Sequence, residues 1–179
     1  MKTPAYKHGG NLAAVRQLAV GGSSASLTGN GLGATCSPAS GEPPLLAGEG
    51  FSIPIAKVAD IVVARQCGRE LAVEGGFSST DATIIATIIS ELARNIVLYA
   101  QEGEIVLANA KRDGRSGITI VSRDHGPGIT DVQRVLMGGY STSGGLGLGL
   151  YGVRRMTDEF HVETNAGNGT VVTAKKWRP

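Results

Sequence analysis

Glu91 and Asn95 stand four residues apart in the stretch Ser90–Ala100, SELARNIVLYA. That spacing sets both on one side of a helix, roughly one turn apart. Ile84, Ile88, Leu92 and Ile96 recur at the same interval, with Ile85 and Ile89 beside them, as a core-facing stripe. The carboxylate and the carboxamide are therefore aimed at the margin of a core, where an unsatisfied polar group is costly. A metal ion, a nucleotide or a substrate hydroxyl would satisfy them. Alone, the pair reads as well as two polar residues on a helix flank. Three loops later in the chain decide between these readings.

The first loop is Asp124-His125-Gly126-Pro127-Gly128. An acidic residue at a strand end can accept from an exocyclic amine, and spaced glycines let a flat ring approach the backbone. The second is Gly144-Gly145-Leu146-Gly147-Leu148-Gly149-Leu150, entering a helix. Glycines before a helix N-terminus suit phosphate, because amides and dipole favour an anion. Gly147-Leu148-Gly149-Leu150-Tyr151-Gly152 formally matches the dinucleotide fingerprint. However, a loop precedes it, and Val172 stands where the ribose-binding acid belongs. A Walker-type loop needs lysine after Gly149, where this chain has Leu150. The remaining reading is a lid over a triphosphate, with Ser141, Thr142 and Ser143 supplying hydroxyl donors. The third loop is Gly169-Thr170, which opens the last strand; one threonine there is equally a strand-forming residue.

The elements that must position these loops can be read in order. Residues 1–50 are rich in Gly, Ser, Ala and Pro and lack periodicity, so they read as a disordered extension ahead of a globular domain over 51–179. Phe51–Ile55 reads as an edge strand, where Pro54 is tolerable. A helix is expected from Ala56 to about Ala72, with Val58, Ile61, Val62, Arg65 and Cys67 on a mixed apolar face, stopped by Gly75-Gly76. Ser78 opens the central helix, with Asp81 three residues on as in a capping box, and the helix runs to about Gly103. Strands at Glu104–Ala110 and Gly117–Arg123 flank a hairpin turn at Arg112–Arg115. A short helix over Thr130–Met137, a helix over Tyr151–Glu159 and a last hairpin, His161–Thr164 with Thr170–Lys176, complete the chain. This order predicts an α+β fold with an antiparallel or mixed sheet and helices on one face.

Composition removes several function classes. The chain has 179 residues, 41% hydrophobic and 18% charged, with a net charge of +2. That balance gives no footprint for nucleic acid, and no basic cluster interleaved with aromatics is present. The cysteines, Cys36 and Cys67, lack metal-ligand spacing and do not suggest an oxidising compartment. No apolar run reaches transmembrane length, so no membrane partner is expected. Arg16 and Gln17 interrupt Leu12–Val20, which does not read as a signal peptide; the cytoplasm is the expected location.

As a set, these segments carry a resemblance. Glu91-Leu92-Ala93-Arg94-Asn95 resembles the N box of the GHKL ATPase superfamily. Asp124–Gly128 resembles its first glycine box, Gly144–Leu150 its second, on the ATP lid, and Gly169-Thr170 its distal threonine. SELARNI, GYSTSGGLG, GVRRM-DEF and the terminal Lys176-Trp177 are similar to the RsbT-type serine/threonine kinases of bacterial stress signalling. The resemblance covers about Ile53 to Trp177; residues 1–50 have no counterpart. It implies the two-layer α/β sandwich of the Bergerat fold, with a mixed sheet. It further implies that Asn95 coordinates a Mg²⁺ bridging the phosphates of ATP and that Glu91 is the general base on a serine or threonine hydroxyl. Asp124 would bind the adenine amine, assisted through water by Thr170, and Gly126 and Gly128 would line the base pocket. Ser141, Thr142, Ser143, Gly144, Gly145, Leu146, Gly147, Leu148 and Gly149 would cover the phosphates. Phosphoryl transfer asks for this combination of positioning, charge neutralisation and a base. The sequence departs from the pattern at Tyr151, where proline is usual, at Leu148, and in Met137-Gly138-Gly139, which lacks the acidic residue usual before the Gly-Tyr/Phe pair.

The resemblance implies a partner-switching kinase that phosphorylates STAS-domain antagonist or scaffold proteins and, when released, activates a PP2C-type phosphatase. The alternative is an anti-sigma factor that binds a sigma subunit directly; GYSTSGGLG and Lys176-Trp177 favour the first. A two-component histidine kinase would need a phospho-accepting histidine on a dimerisation helix. His8, His125 and His161 do not supply one. A gyrase- or MutL-type ATPase would need a transducer domain for which this length leaves no room.

Overall fold

The computed structural model describes residues 50–137, 149–164 and 166–179. The expectations for residues 1–49 and for 138–148 lie outside these described residues. Strand β1 is Gly50–Ile55, followed by helices α1, Val58–Glu74, and α2, Ser79–Asn95. A π-helical turn, Ile96–Ala100, continues α2. Then come strands β2, Gly103–Arg112, and β3, Arg115–Asp124. Helices α3, Val132–Met137, and α4, Gly149–Met156, precede strands β4, Glu159–Thr164, and β5, Thr170–Trp177.

The strands form one sheet in the order β1-β2-β3-β5-β4, and every neighbouring pair is antiparallel. The mixed sheet expected from the resemblance is therefore corrected. The crossover from β3 to β4 does join parallel strands, but β5 turns back between them and pairs with both. The turn between β2 and β3 has the left-handed backbone of a tight hairpin, with φ of 52° at Asp113 and 77° at Gly114.

Cross-strand register sorts the core. Ile53, Ile105, Leu107, Ile118, Ile120, Val172 and Ala174 share one face of the sheet and are all buried. Helices α1 and α2 pack on that face, which gives the expected two-layer α+β arrangement. The opposite face carries a polar chain in which Ser52 donates to Glu104, and Glu104 pairs with Arg123 at 3.2 Å.

Helix α2 is apolar enough to resemble a membrane span over Ser79–Ala100. Here its stripe is filled by protein: Ile85, Ile88, Ile89, Leu92 and Ile96 are at most 1% exposed. Its start is the expected cap. The Ser78 hydroxyl accepts the Asp81 amide at 3.1 Å and donates to the Asp81 carboxylate at 2.6 Å. Helix α1 differs from expectation. Ile61 and Cys67 are buried, but Val58 and Val62 are 68% and 52% exposed. The buried arc is built from small residues, Ala64, Gly68 and Ala72, with Leu71. A Cβ on Gly68 would lie 1.9 Å from Ile89 Cδ1, so the Ile89 side chain fills the space that a larger residue on α1 would need. Small size, which apolar periodicity ignores, selects the contact face.

Candidate functional site

The end of α2 presents Glu91 and Asn95, both half-buried, with Arg94 exposed between them. Neither Glu91 nor Asn95 has a side-chain hydrogen bond or ion pair among the described residues. Asn95 is the last α-helical residue; the next five widen into the π-turn, a form common at functional sites. Gln101, with φ of 70°, ends it.

That turn delivers Ala100 against the first glycine loop. A Cβ on Gly126 would lie 2.7 Å from Ala100 Cβ and 3.1 Å from Asp124 Oδ1. The glycine is therefore required by close approach to Ala100. Gly103, at the start of β2, is equally constrained: its Cβ would lie 2.3 Å from the Arg123 carbonyl. The sequence reading used Gly103 only as a helix terminator.

Asp124 is the centre of the geometry. Its Oδ1 accepts the Gly126 amide at 2.9 Å and the Thr170 amide at 3.1 Å. Its Oδ2 has no partner among the described residues. One oxygen is thus fixed by the protein, and the second has capacity to accept a further donor. A carboxylate takes several hydrogen bonds, so this division is within its capacity.

Hairpin β4–β5 locks the loop in place. Gly167 donates to the Pro127 carbonyl at 2.8 Å. Ile129 donates to Thr164 Oγ1 at 2.9 Å. Gly169 lies at φ 80°, where a Cβ would fall 2.0 Å from the Asp124 carbonyl. Gly169-Thr170 is thereby brought to Asp124, as expected. Thr164 was not singled out from sequence. The signal was available, because the predicted hairpin already set Thr164 opposite Thr170.

Register lines these residues up. Ile55, Gly103, Asp124, Thr170 and Thr164 are successive partners across all five strands. Directly opposed residues share a face, so the row lies at one end of the helix-bearing face. His125 is exposed, in keeping with a loop residue. Gly128 adopts φ 74°, the turn conformation its glycine serves.

Of the lid residues, Ser141, Thr142, Ser143, Gly144, Gly145, Leu146, Gly147 and Leu148 lie outside the described residues. Gly149 is described, at φ 42°, and begins α4. That helix starts two residues earlier than expected and ends at Met156, not near Glu159, which belongs to β4. Tyr151, in place of the usual proline, is held on α4 by its own helix: Arg155 Nη1 donates to Tyr151 Oη at 3.0 Å and the guanidinium sits 5.8 Å from the ring. The bond to Tyr151 raises the Arg155 pKa further.

Among the described residues, no group of three or more His, Cys, Asp or Glu is placed to hold a metal. The Asn95 carboxamide, without a partner among the described residues, still suits Mg²⁺, which takes hard oxygen ligands, keeps several waters and draws the rest from phosphate.

The terminal Lys176-Trp177 is structural. Trp177 donates its indole N–H to Glu159 at 2.9 Å and its backbone amide to Asp158 at 2.6 Å. Lys176 pairs with Asp158 at 3.1 Å, and Gly117 makes room for the indole. Two sequence features of the resemblance, DEF and Lys176-Trp177, are thus two sides of one contact.

Residues 80–178 match the family of histidine kinase-, DNA gyrase B- and HSP90-like ATPases. The chain is 52% identical over 118 residues to the serine/threonine-protein kinase RsbT of Bacillus subtilis, spanning 66% of this chain and 89% of that protein. It is 30% identical over 99 residues to the anti-sigma F factor of Caldanaerobacter subterraneus, spanning 52% of this chain and 68% of that protein. It is also 30% identical over 124 residues to the sensor protein BceS of Halalkalibacterium halodurans, but spans only 36% of that protein.

Proposed function

This chain belongs to the histidine kinase-, DNA gyrase B- and HSP90-like ATPase family, in the branch of the serine/threonine-protein kinase RsbT, and we propose on that footing that it transfers the γ-phosphoryl group of ATP to a serine or threonine of a partner protein. The observation that carries this reading is Asp124. Its Oδ1 is fixed by two backbone amides and its Oδ2 has no partner among the described residues, at the end of the sheet where Gly126 and Gly169 pack closely around it.

The residues divide the work as follows. Asp124 accepts from the adenine amine, with Thr170 beside it, and Gly126 and Gly128 form the wall against the ring. Asn95 holds Mg²⁺, which neutralises charge on the phosphates when bound. Glu91, one turn earlier on the same helix, takes the proton from the incoming hydroxyl. The hydroxyls and glycines of 141–149 are assigned to the phosphates, as the resemblance implies. A cytoplasmic location accompanies this activity.

The partners in this reading are STAS-domain antagonist or scaffold proteins as substrates, and a PP2C-type phosphatase activated by the released kinase. Similarity to an anti-sigma F factor supports a second reading, direct binding of a sigma subunit. One experiment addresses both. The protein is incubated with labelled ATP, Mg²⁺ and a STAS-domain partner, with Glu91→Ala as control. Label on a partner serine or threonine, lost in the variant while ATP still binds, supports the kinase. ATP binding without label, together with capture of a sigma subunit in a pull-down, supports the second reading instead.

A further inference from the structure

We infer that Thr164 is a specificity-determining residue, which sets the hydrogen-bonding polarity of the Thr170 hydroxyl so that the base pocket selects a 6-amino over a 6-oxo purine. The inference rests on the nucleotide-site reading above and adds to it a residue with no place in the sequence motifs.

A threonine hydroxyl has one proton to give and two lone pairs to receive with. Thr164 uses all three. Its proton goes to the Gly169 carbonyl at 3.0 Å. One lone pair accepts the Ile129 amide at 2.9 Å. The remaining contact is Thr170 Oγ1 at 3.3 Å. Since the Thr164 proton is committed to a carbonyl, which can only accept, the Thr170 hydroxyl must be the donor in that pair. Its proton points to Thr164, and its lone pairs are what it can offer to the pocket.

Asp124, opposite Thr170 across β3 and β5, likewise presents acceptor oxygens, and its Oδ1 already takes the Gly126 and Thr170 amides. Both polar groups at this end of the sheet therefore offer lone pairs. A 6-amino group, or a water bound to it, meets them as a donor. A 6-oxo group would bring a third acceptor to the same place. Sites built to pair with a donor reject analogues that lack it far better than apolar pockets reject by size.

Thr164→Val keeps the shape and removes the hydroxyl. The Thr170 proton is then free to turn outward and can serve a 6-oxo base. ATP and ITP dissociation constants, measured by equilibrium binding on the full chain, report the effect. The wild type should favour ATP by about tenfold or more, and Thr164→Val should cut that ratio by about threefold to tenfold, mainly through tighter ITP binding, as expected for one repolarised hydrogen bond. Thr164→Ser should restore it. Thr170→Val removes the switched hydroxyl and should abolish any further effect of Thr164→Val in the double variant.

An unchanged ratio in Thr164→Val with ATP binding intact would overturn the inference and leave the site reading standing. If Thr164→Val does not fold, an unchanged ratio in Thr170→Val overturns it equally. Equal wild-type affinity for ATP and ITP does the same. A wild type that binds neither nucleotide contradicts the site reading itself.

Discussion

Thr170 and Asp124 face each other in register across β5 and β3, and the Thr170 backbone amide donates to Asp124 Oδ1 at 3.1 Å. The residue assigned to the base amine is therefore held by the backbone of the residue assigned to assist it. The two strands are far apart in sequence, so the site depends on the β5 insertion between β3 and β4. The Gly126 amide completes the hold on the same oxygen.

Asp124→Asn isolates the free oxygen. The carboxamide oxygen can keep both backbone bonds, while the other position becomes a donor that opposes an amine. Thermal stability should stay within a few degrees of wild type. ATP affinity should fall by about 10- to 100-fold, the cost of a lost charge-assisted hydrogen bond. Calorimetric titration beside a thermal melt tests this. Loss of affinity accompanied by unfolding would mean that Asp124 is chiefly structural.

Gly169→Ala tests the hairpin lock. The residue lies at φ 80° and its Cβ would fall 2.0 Å from the Asp124 carbonyl. Left-handed strain alone costs about 1–3 kcal/mol, and the collision must move β5 away from β3. Chemical denaturation should show a loss of about 2 kcal/mol or more. Gly167→Ala, also at positive φ but with nothing near its Cβ, should cost less. Equal losses in the two variants would show that conformational strain, not the Asp124 contact, explains Gly169.

Glu91 has no internal hydrogen-bond partner in the described residues, so its carboxylate is not needed to hold α2. Glu91→Gln should leave ATP affinity within about threefold of wild type and reduce phosphoryl transfer by about 10²–10⁴-fold, the range for removal of a general base. Single-turnover transfer with ATP in excess separates binding from chemistry. A parallel loss of ATP affinity would move Glu91 from the base role to the binding site.

These tests use residues of two kinds of legibility. Glu91, Asn95, Asp124 and Gly169-Thr170 could be singled out because local patterns (helical spacing, a strand end and glycine punctuation), each ambiguous alone, occur together in the order the resemblance requires. The β2–β3 hairpin was readable from Asp113-Gly114. Gly68 and Gly103 were not. Their roles come from contacts with Ile89 and Arg123, which lie in other elements and leave no periodic trace. The exposure of Val58 and Val62 has the same origin, since small residues on α1 decided which side meets α2. Antiparallel pairing throughout likewise depended on β5 threading between β3 and β4, a choice among strands that alternation cannot express.

The Trp177 contact predicts how stability responds to acid. The Trp177 indole N–H is the main cause that holds the Glu159 carboxyl below the usual carboxylate range; Lys175 and Arg112 add to it, while burial opposes it. A carboxyl lowered in the folded state contributes stability that is full above its unfolded value and fades as pH falls through the folded one. The contribution is therefore present at neutral pH and lost on the acid side of about pH 4.5, the ordinary glutamate value. Glu159 remains about a third exposed, so solvent screening keeps its share modest. Trp177→Phe removes the donor and should destabilise the fold by about 1 kcal/mol at pH 7. The gap between variant and wild type should narrow as pH falls below the ordinary glutamate range, because the protonated carboxyl gains less from the indole. Urea denaturation of both proteins from pH 7 to pH 3 measures it. A gap that is constant across that range would assign the loss to indole packing against Gly117 and remove Glu159 from the explanation.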